Sequence, residues 1–235
     1  VWEAGNKNIP GIYIEFKEPW LNPKGFEQIV YDVLANTQDM NIIEKPEPED
    51  TPFYINNGTI NVGNTNGKVI LQTFSLESLV RVAEVFQGKV PMCFLLWKGT
   101  GATDLTYDDP LGYASFINLG VKYKAHFIGP CIAGAPNDYP ELDQPWQDYL
   151  IHRAKMKNHP YTFDTYDQMA KYFGQYNFGV ADGMFNPPYL DALFTNHSDM
   201  SINYMITHGW RKSPASQTLV DAREVLRKLG YLDNN

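Results

Sequence analysis

Two side chains of opposite charge, Glu15 and Lys17, stand two positions apart in a segment that otherwise has the composition of a β-strand. Side chains of a strand alternate between its two faces, so both charges point to the same side as the ring of Tyr13. The opposite face consists of Ile12, Ile14 and Phe16. The apolar face is therefore expected to pack in a core, and the charged face is expected to line a functional site. The two charges would also fit a solvated ion pair on a half-exposed strand.

Alternating helix and strand patterns follow this first strand. Apolar residues at helical spacing predict a helix over about 23–36, with a buried stripe formed by Phe26, Ile29, Val30, Val33 and Leu34. Turn-forming residues over 44–66 predict a small excursion with a hairpin. A continuous apolar strand is predicted over 68–73, and Ser75 is placed to cap a helix that Gly88 ends. The buried face of this second helix is predicted to contain Leu76, Leu79, Val80, Ala83 and Phe86.

The second half of the chain continues the alternation. Further strands are predicted over 90–97 and 124–130, at a segment ending with Phe163, and over 193–196. Helices are predicted over 113–119, after a capping box formed by Thr165 and Gln168, and over 214–229. Residues 131–157 are predicted to be a long ordered loop, a lid that carries Tyr139, Trp146 and Tyr149. This alternation is typical of a parallel sheet covered by helices.

Composition limits the classes of protein to consider. The chain has 235 residues, of which 43% are hydrophobic and 20% charged, as expected for one globular domain. A net charge of −8 argues against a nucleic-acid partner, because nucleic-acid binders usually carry a basic patch. No apolar run approaches the roughly 18 residues of a membrane span, and no signal peptide pattern stands at Val1. Cys93 and Cys131 lie in apolar surroundings and are predicted to be buried thiols.

Four segments resemble motifs of the glycerophosphodiester phosphodiesterase family, and specifically of its longer, periplasmic-type members. The segments are GIYIEFKEP at 11–19, VILQTFS at 69–75, NHPYTF at 158–163 and DALFTNHSD at 191–199. Each motif is short, but they occur in the order that the family has and run through nearly the whole chain. In the last motif Ser198 stands where relatives usually have proline.

The resemblance implies an α/β fold, a TIM-like barrel that is incomplete in this chain. The family's His-Arg-Gly, Glu-x-Asp and His-Asp segments precede the Glu-x-Lys strand, and this sequence starts shortly before that strand. Residues 1–235 are therefore expected to be the C-terminal portion of one barrel domain, with about the last six of eight strands. The missing N-terminal strands would come from the same gene product or from another chain.

The resemblance also implies roles for individual residues. Glu15 would be a carboxylate ligand of Ca²⁺ or Mg²⁺, and Lys17 would be a catalytic residue that binds a phosphate oxygen of the substrate. Phe74 would border the substrate pocket, and Tyr161 would pack against the glycerol moiety. Core packing would explain Phe74 equally well. His126, His152 and His208 have no partner at a metal or triad spacing and are expected to be structural.

The function that the resemblance implies is hydrolysis of a glycerophosphodiester to glycerol 3-phosphate and an alcohol. Two histidines from the absent strands would act as general acid and base, so this chain alone is expected to be inactive. One alternative is a barrel remnant that binds ligands without catalysis. The other is a barrel enzyme that acts on another phosphate ester. The expected partner is a small-molecule phosphodiester, and the resemblance favours a periplasmic or secreted protein.

Overall fold

The computed structural model of the chain describes residues 12–36, 69–97, 109–173 and 190–209. The chain divides into two compact units, Val1–Asn196 and His197–Asn235, and the sheet belongs to the first. The predicted excursion over 44–66 and the predicted last helix over 214–229 lie outside the described residues.

A five-stranded parallel sheet forms the centre of the first unit. Its strands are β1 (Ile12–Glu15), β2 (Val69–Thr73), β3 (Met92–Leu96), β4 (Phe127–Pro130) and β5 (Lys157–Asn158). Each strand pairs with the next one in sequence, which leaves β1 at one edge of the described sheet. Strands alternate with helices along the chain, so the predicted α/β class with a parallel sheet is confirmed.

The described residues contain six helices. Those of the first unit are α1 (Phe26–Asn36), α2 (Leu76–Phe86), α3 (Pro110–Lys122), α4 (Pro145–Arg153) and α5 (Tyr166–Tyr172), and α6 (Ser198–Thr207) belongs to the second unit. Ser75 caps α2 by accepting a hydrogen bond from the Ser78 N–H, and Thr165 forms the predicted capping box with Gln168. α2 ends because Gln87 and Gly88 adopt left-handed backbone conformations, with φ of 52° and 76°.

Four predicted segments differ from the observed structure. The predicted strand ending with Phe163 is instead the short β5, which ends at Asn158, with an isolated bridge between Tyr161 and Cys131 beyond it. The predicted loop over 131–157 contains α4, which Gln144 caps reciprocally with Gln147 around a proline at the first helical turn. α3 starts earlier than predicted, because the Asp109 side chain accepts hydrogen bonds from the first two helical N–H groups that lack backbone partners. The predicted strand over 193–196 is not a strand, although Phe194 exchanges backbone hydrogen bonds with Pro160 and Phe163.

The buried face of α1 also differs from the predicted stripe. Leu34 is buried as expected, but Ile29 and Val33 are 56% and 57% exposed. The buried position belongs instead to Glu27, which is 2% exposed and faces the guanidinium of Arg81 on α2 at 3.8 Å. Hydrophobic periodicity therefore placed the helix correctly, and Phe26, Val30 and Leu34 of the predicted stripe pack in or against the core, whereas Ile29 and Val33 do not.

The two faces of the sheet bury different side chains. One face packs against the helices through a large core that includes Phe16, Leu71 and Phe94, with Ile14 packed against it. The other, inner face carries a smaller cluster formed by Cys93, Leu95 and Phe127, with Tyr13, Ile70, Phe74, Tyr161 and Phe194 packed against it. Both cysteines are buried thiols, as predicted.

The inner face is concave. The hydroxyl of Tyr13 on β1 lies 3.1 Å from Nδ1 of His159, directly after β5, and its ring contacts Phe194 at 4.8 Å between centroids. In a flat sheet the first and fifth strands would be four spacings of about 4.8 Å apart, far beyond this contact. Gly129 allows the close packing inside the curve, because a Cβ there would lie 2.7 Å from Leu95.

Candidate functional site

The candidate site lies where the strands end at their carboxyl termini. Glu15 ends β1 and is followed by Lys17, Phe74 follows β2, and Tyr161 comes after β5. Carboxyl ends of parallel strands meet at one edge of a sheet, where α/β proteins bind ligands. The structure thus brings all four predicted site residues to the same edge, which we call the C-terminal edge.

The charged pair has the orientation predicted from strand alternation. Tyr13 packs on the inner face and Ile14 on the helix-covered face, so Glu15 belongs to the inner face. The Lys17 ammonium lies 3.6 Å from the Glu15 carboxylate, and the two side chains are 70% and 22% exposed. Such an exposed pair contributes only about 0 to 1 kcal/mol to stability. The exposed ammonium remains accessible to an anionic ligand.

Two side chains, those of Asn22 and Arg81, donate hydrogen bonds to the backbone of the connection that follows Lys17. Nδ2 of Asn22 donates to the carbonyl of Lys17 at 2.7 Å, which closes the turn. Nη1 of Arg81 donates to the carbonyl of Pro19 at 3.3 Å, while the same guanidinium binds the carboxylates of Glu27 and Glu77. Arg81 thereby fixes the backbone two residues beyond Lys17, and it is a positioning residue for the C-terminal edge.

Phe74 and Tyr161 form an aromatic pair at this edge. Their ring centroids lie 5.7 Å apart in an edge-to-face arrangement with an interplanar angle of 86°. The Tyr161 hydroxyl donates to the carbonyl of Leu96 at 3.0 Å, and burial raises its pKa above the usual range. Phe74 also packs against the inner cluster, as the core interpretation of this residue predicts. Both rings are partly exposed, so the pair can contact a ligand through its ring surfaces. The Tyr161 hydroxyl is already hydrogen-bonded to the Leu96 carbonyl.

Gln72 is a further polar residue beside Glu15. The two residues pair in register on adjacent strands, and the side chain of Gln72 shares the inner face with Ile70. Its Oε1 is buried and accepts no hydrogen bond. Gln72 belongs to the motif at 69–75, but the sequence singled out Phe74 in that motif and assigned Gln72 no role of its own.

His152 has partners that were not predicted. Its Nδ1 lies 3.1 Å from Asp148 on the same helix, and its Nε2 lies 2.8 Å from Asp191. Asp191 also accepts hydrogen bonds from the Lys157 ammonium and from the Asn158 N–H, both at 2.9 Å. The sequence did not indicate these two carboxylate partners, because the spacing of four residues to Asp148 matters only on a helix, and α4 was not predicted.

The carboxylates around His152 set its charge. Burial alone would lower the pKa of His152, but the hydrogen bond with Asp191 and the nearby carboxylate of Asp148 outweigh it and raise this pKa to about 9. For Asp191, burial is outweighed by the hydrogen bonds from His152, Asn158 and Lys157, which lower its pKa to about 2. Burial raises the pKa of Asp148 to about 6, and burial with the nearby charge of Asp148 raises that of Asp143. The cluster ties α4 to β5 and to the segment around Asp191.

This cluster predicts a pH dependence of stability. Because the pKa of His152 is about 9 in the fold and 6.5 ordinarily, its stabilising charge is complete below pH 6.5 and is lost as the pH rises through about 9. The free energy of unfolding, measured by urea denaturation, is expected to fall by up to about 3 kcal/mol across this window. His152→Gln is expected to remove most of that fall. An equal fall in both proteins would assign it to other groups.

Two further histidines are buried and neutral. Nδ1 of His126 accepts a hydrogen bond from the Met92 N–H at 3.1 Å, and burial lowers the pKa of His126 to about 3. His159 stacks on Phe127 with centroids 4.0 Å apart, and burial lowers its pKa to about 4. Both histidines therefore serve packing on the sheet.

In the part of the chain that the structure describes, no group of three or more His, Cys, Asp or Glu side chains is arranged to hold a metal ion. No helix among these residues has the length and apolar character needed to cross a membrane. Comparison of the sequence with models of protein families gave no match, and comparison with curated proteins gave none.

Proposed function

We propose that the chain forms part of an α/β barrel phosphodiesterase that hydrolyses glycerophosphodiesters to glycerol 3-phosphate and an alcohol. The observation that carries the proposal is the meeting of Glu15, Lys17, Phe74 and Tyr161 at one edge of a parallel sheet. The concave inner face supports the barrel, because β1 and the segment around Phe194 contact each other across it.

The residues at the C-terminal edge have complementary roles in this proposal. The Lys17 ammonium binds a non-bridging phosphate oxygen and stabilises the negative charge that grows there during hydrolysis. The ring surfaces of Phe74 and Tyr161 pack against the carbon atoms of the glycerol moiety. Arg81 keeps Lys17 in place through the carbonyl of Pro19. Phosphate charge and glycerol surface are thus recognised by different side chains.

A divalent cation, Ca²⁺ or Mg²⁺, would neutralise phosphate charge in such an enzyme. Glu15 has the hard oxygen ligand that these ions prefer, and its side chain is partly exposed. A single carboxylate does not make a site, however, and the described residues do not place Glu15 in a group of three or more His, Cys, Asp or Glu side chains that could hold a metal ion. These residues therefore do not fit a metal by themselves, and no step is assigned to one.

The proposal is tested by turnover of glycerophosphocholine. The chain of residues 1–235 alone is expected to show no turnover and only weak binding of Ca²⁺ or Mg²⁺, because one carboxylate leaves a hard cation mostly hydrated. Placing the family's His-Arg-Gly, Glu-x-Asp and His-Asp segments before residue 1 is expected to produce turnover. Turnover by residues 1–235 alone would contradict the proposal that this chain contains only part of the catalytic site.

A second function, ligand binding without catalysis, is favoured by the aromatic pair, because Phe74 and Tyr161 present rings at the C-terminal edge while the Tyr161 hydroxyl is engaged by the carbonyl of Leu96. Tight binding of glycerophosphocholine without turnover in the extended protein would select this function. Binding is measured by isothermal titration calorimetry, and turnover by release of choline.

A further inference from the structure

The Gln72 amide is unusual among the polar side chains on β2. The neighbouring Thr73 is fully engaged, because its hydroxyl donates to the carbonyl of Phe16 at 2.8 Å and accepts from the Ser75 N–H at 3.0 Å. Gln72 makes no comparable contact, and its Oε1 is buried without a partner. Most buried polar atoms in folded proteins are hydrogen-bonded, and an unpaired acceptor costs stability. Contacts within the folded protein therefore do not explain why an amide side chain stands at this position.

The position of Gln72 points towards a ligand. Its register partner is Glu15, whose side chain is partly exposed at the C-terminal edge and lies 3.6 Å from Lys17. Along β2, two residues after Gln72, stands Phe74, on the same face of the strand and in the aromatic pair with Tyr161. The amide thus stands between the charged pair and the aromatic pair.

We propose that Gln72 determines specificity by hydrogen bonding to a hydroxyl group of a polyol phosphate ester whose phosphate binds Lys17. This inference rests on the proposed function. A hydroxyl both donates and accepts, so it suits the amide whichever of its two ends faces the ligand. A phosphate oxygen accepts only, and it would leave Oε1 unpaired. A hydroxyl is therefore the partner that satisfies this side chain.

The consequence is discrimination against ligands that lack the hydroxyl. A site built to hydrogen-bond a hydroxyl group rejects the analogue without it, because the polar group of the protein is then left unpaired. Glycerol 3-phosphate and propyl phosphate have the same chain length and the same phosphate, and they differ in the two hydroxyl groups. Comparing their affinities isolates the contribution of Gln72 from that of Lys17.

The test measures both affinities by isothermal titration calorimetry on the chain of residues 1–235. The parent protein is expected to bind glycerol 3-phosphate about tenfold more tightly than propyl phosphate, the value of one net hydrogen bond. Gln72→Met keeps the length of the side chain and is expected to remove this preference. Ile70→Met, on the same face of the same strand, is expected to keep it. Lys17→Met is expected to lower the affinity for both ligands by the same factor.

Thermal unfolding of the ligand-free variants adds a second readout. Gln72→Met is expected to keep or raise the melting temperature, because it removes an unpaired buried acceptor, whereas a structural role for Gln72 predicts a lower one. The inference is overturned, and the proposed function is not, if Gln72→Met retains the preference. The same holds if Gln72→Met and Ile70→Met both lose the preference. Equal binding by Lys17→Met and the parent overturns the proposed function. Binding of neither ligand by the parent overturns the inference, whereas the proposed function is tested separately by turnover of the extended protein.

Discussion

If the proposed function holds, replacing Lys17 by Met in the extended protein is expected to lower turnover of glycerophosphocholine by about 10²-fold or more, the usual cost of one lost transition-state contact. The substitution removes the ammonium and keeps the apolar part of the side chain. Lys17 is 70% exposed and its ion pair with Glu15 is loose at 3.6 Å, so little folding energy is at stake. Turnover is measured under saturating and limiting substrate to separate kcat from kcat/KM.

Lys24 provides the matched control for this experiment. It lies in the same connection between β1 and α1 and is also exposed. Lys24→Met removes the same charge from the same connection, and its turnover is expected to stay near that of the parent. Near-parental activity of the Lys17 variant, with at most about 1 kcal/mol of lost stability, would identify the pair as a solvated ion pair.

Replacing Arg81 by Met is expected to lower the free energy of unfolding by about 3 kcal/mol or more. The guanidinium is the cation that faces the Glu27 carboxylate, and that residue is 2% exposed. Losing it leaves a negative charge inside the packing of α1 against α2, where water cannot solvate it. Urea denaturation of the purified chain at neutral pH measures the change.

Two controls separate buried charge from lost contacts in that experiment. Glu77 also pairs with Arg81, but its side chain is 55% exposed, so Glu77→Gln is expected to cost less than about 1 kcal/mol. The double variant Glu27→Met with Arg81→Met is expected to recover most of the lost stability, because no charge remains buried. Equal losses for Glu77→Gln and Arg81→Met, or no recovery in the double variant, would contradict the explanation.

Local signals in the sequence predicted much of the fold. Capping by Ser75 and Thr165 depends on residues within one turn, so it was predicted correctly. α4 was missed because its buried side carries Gln147 and Asp148 with Ile151, which breaks the apolar periodicity that identifies helices. For α1, periodicity could not distinguish Val33, which is exposed, from Leu34, because both belong to apolar positions. The side of a helix that packs is a tertiary property.

The candidate site was only partly predictable for the same reason. Alternation along one strand was enough to place Glu15 and Lys17 on one face. The contact between Phe74 and Tyr161 joins residues from distant strands, and it depends on how strongly the sheet curls. The pairing of His152 with Asp191 likewise joins α4 to a segment 39 residues away. No pattern in the sequence indicates that the Gln72 amide lacks a partner, because this depends on every neighbour.

The contacts that Tyr13 makes across the concave face affect how β1 separates from the rest of the sheet. An edge strand held on one side by a single neighbour ordinarily frays first, since few contacts must break. Here the ring of Tyr13 contacts Phe194 and its hydroxyl meets His159, so separating β1 also disrupts packing at the far end of the sheet. Strands at the two ends of the described sheet are thereby coupled in one cooperative unit, although their backbones exchange no hydrogen bond.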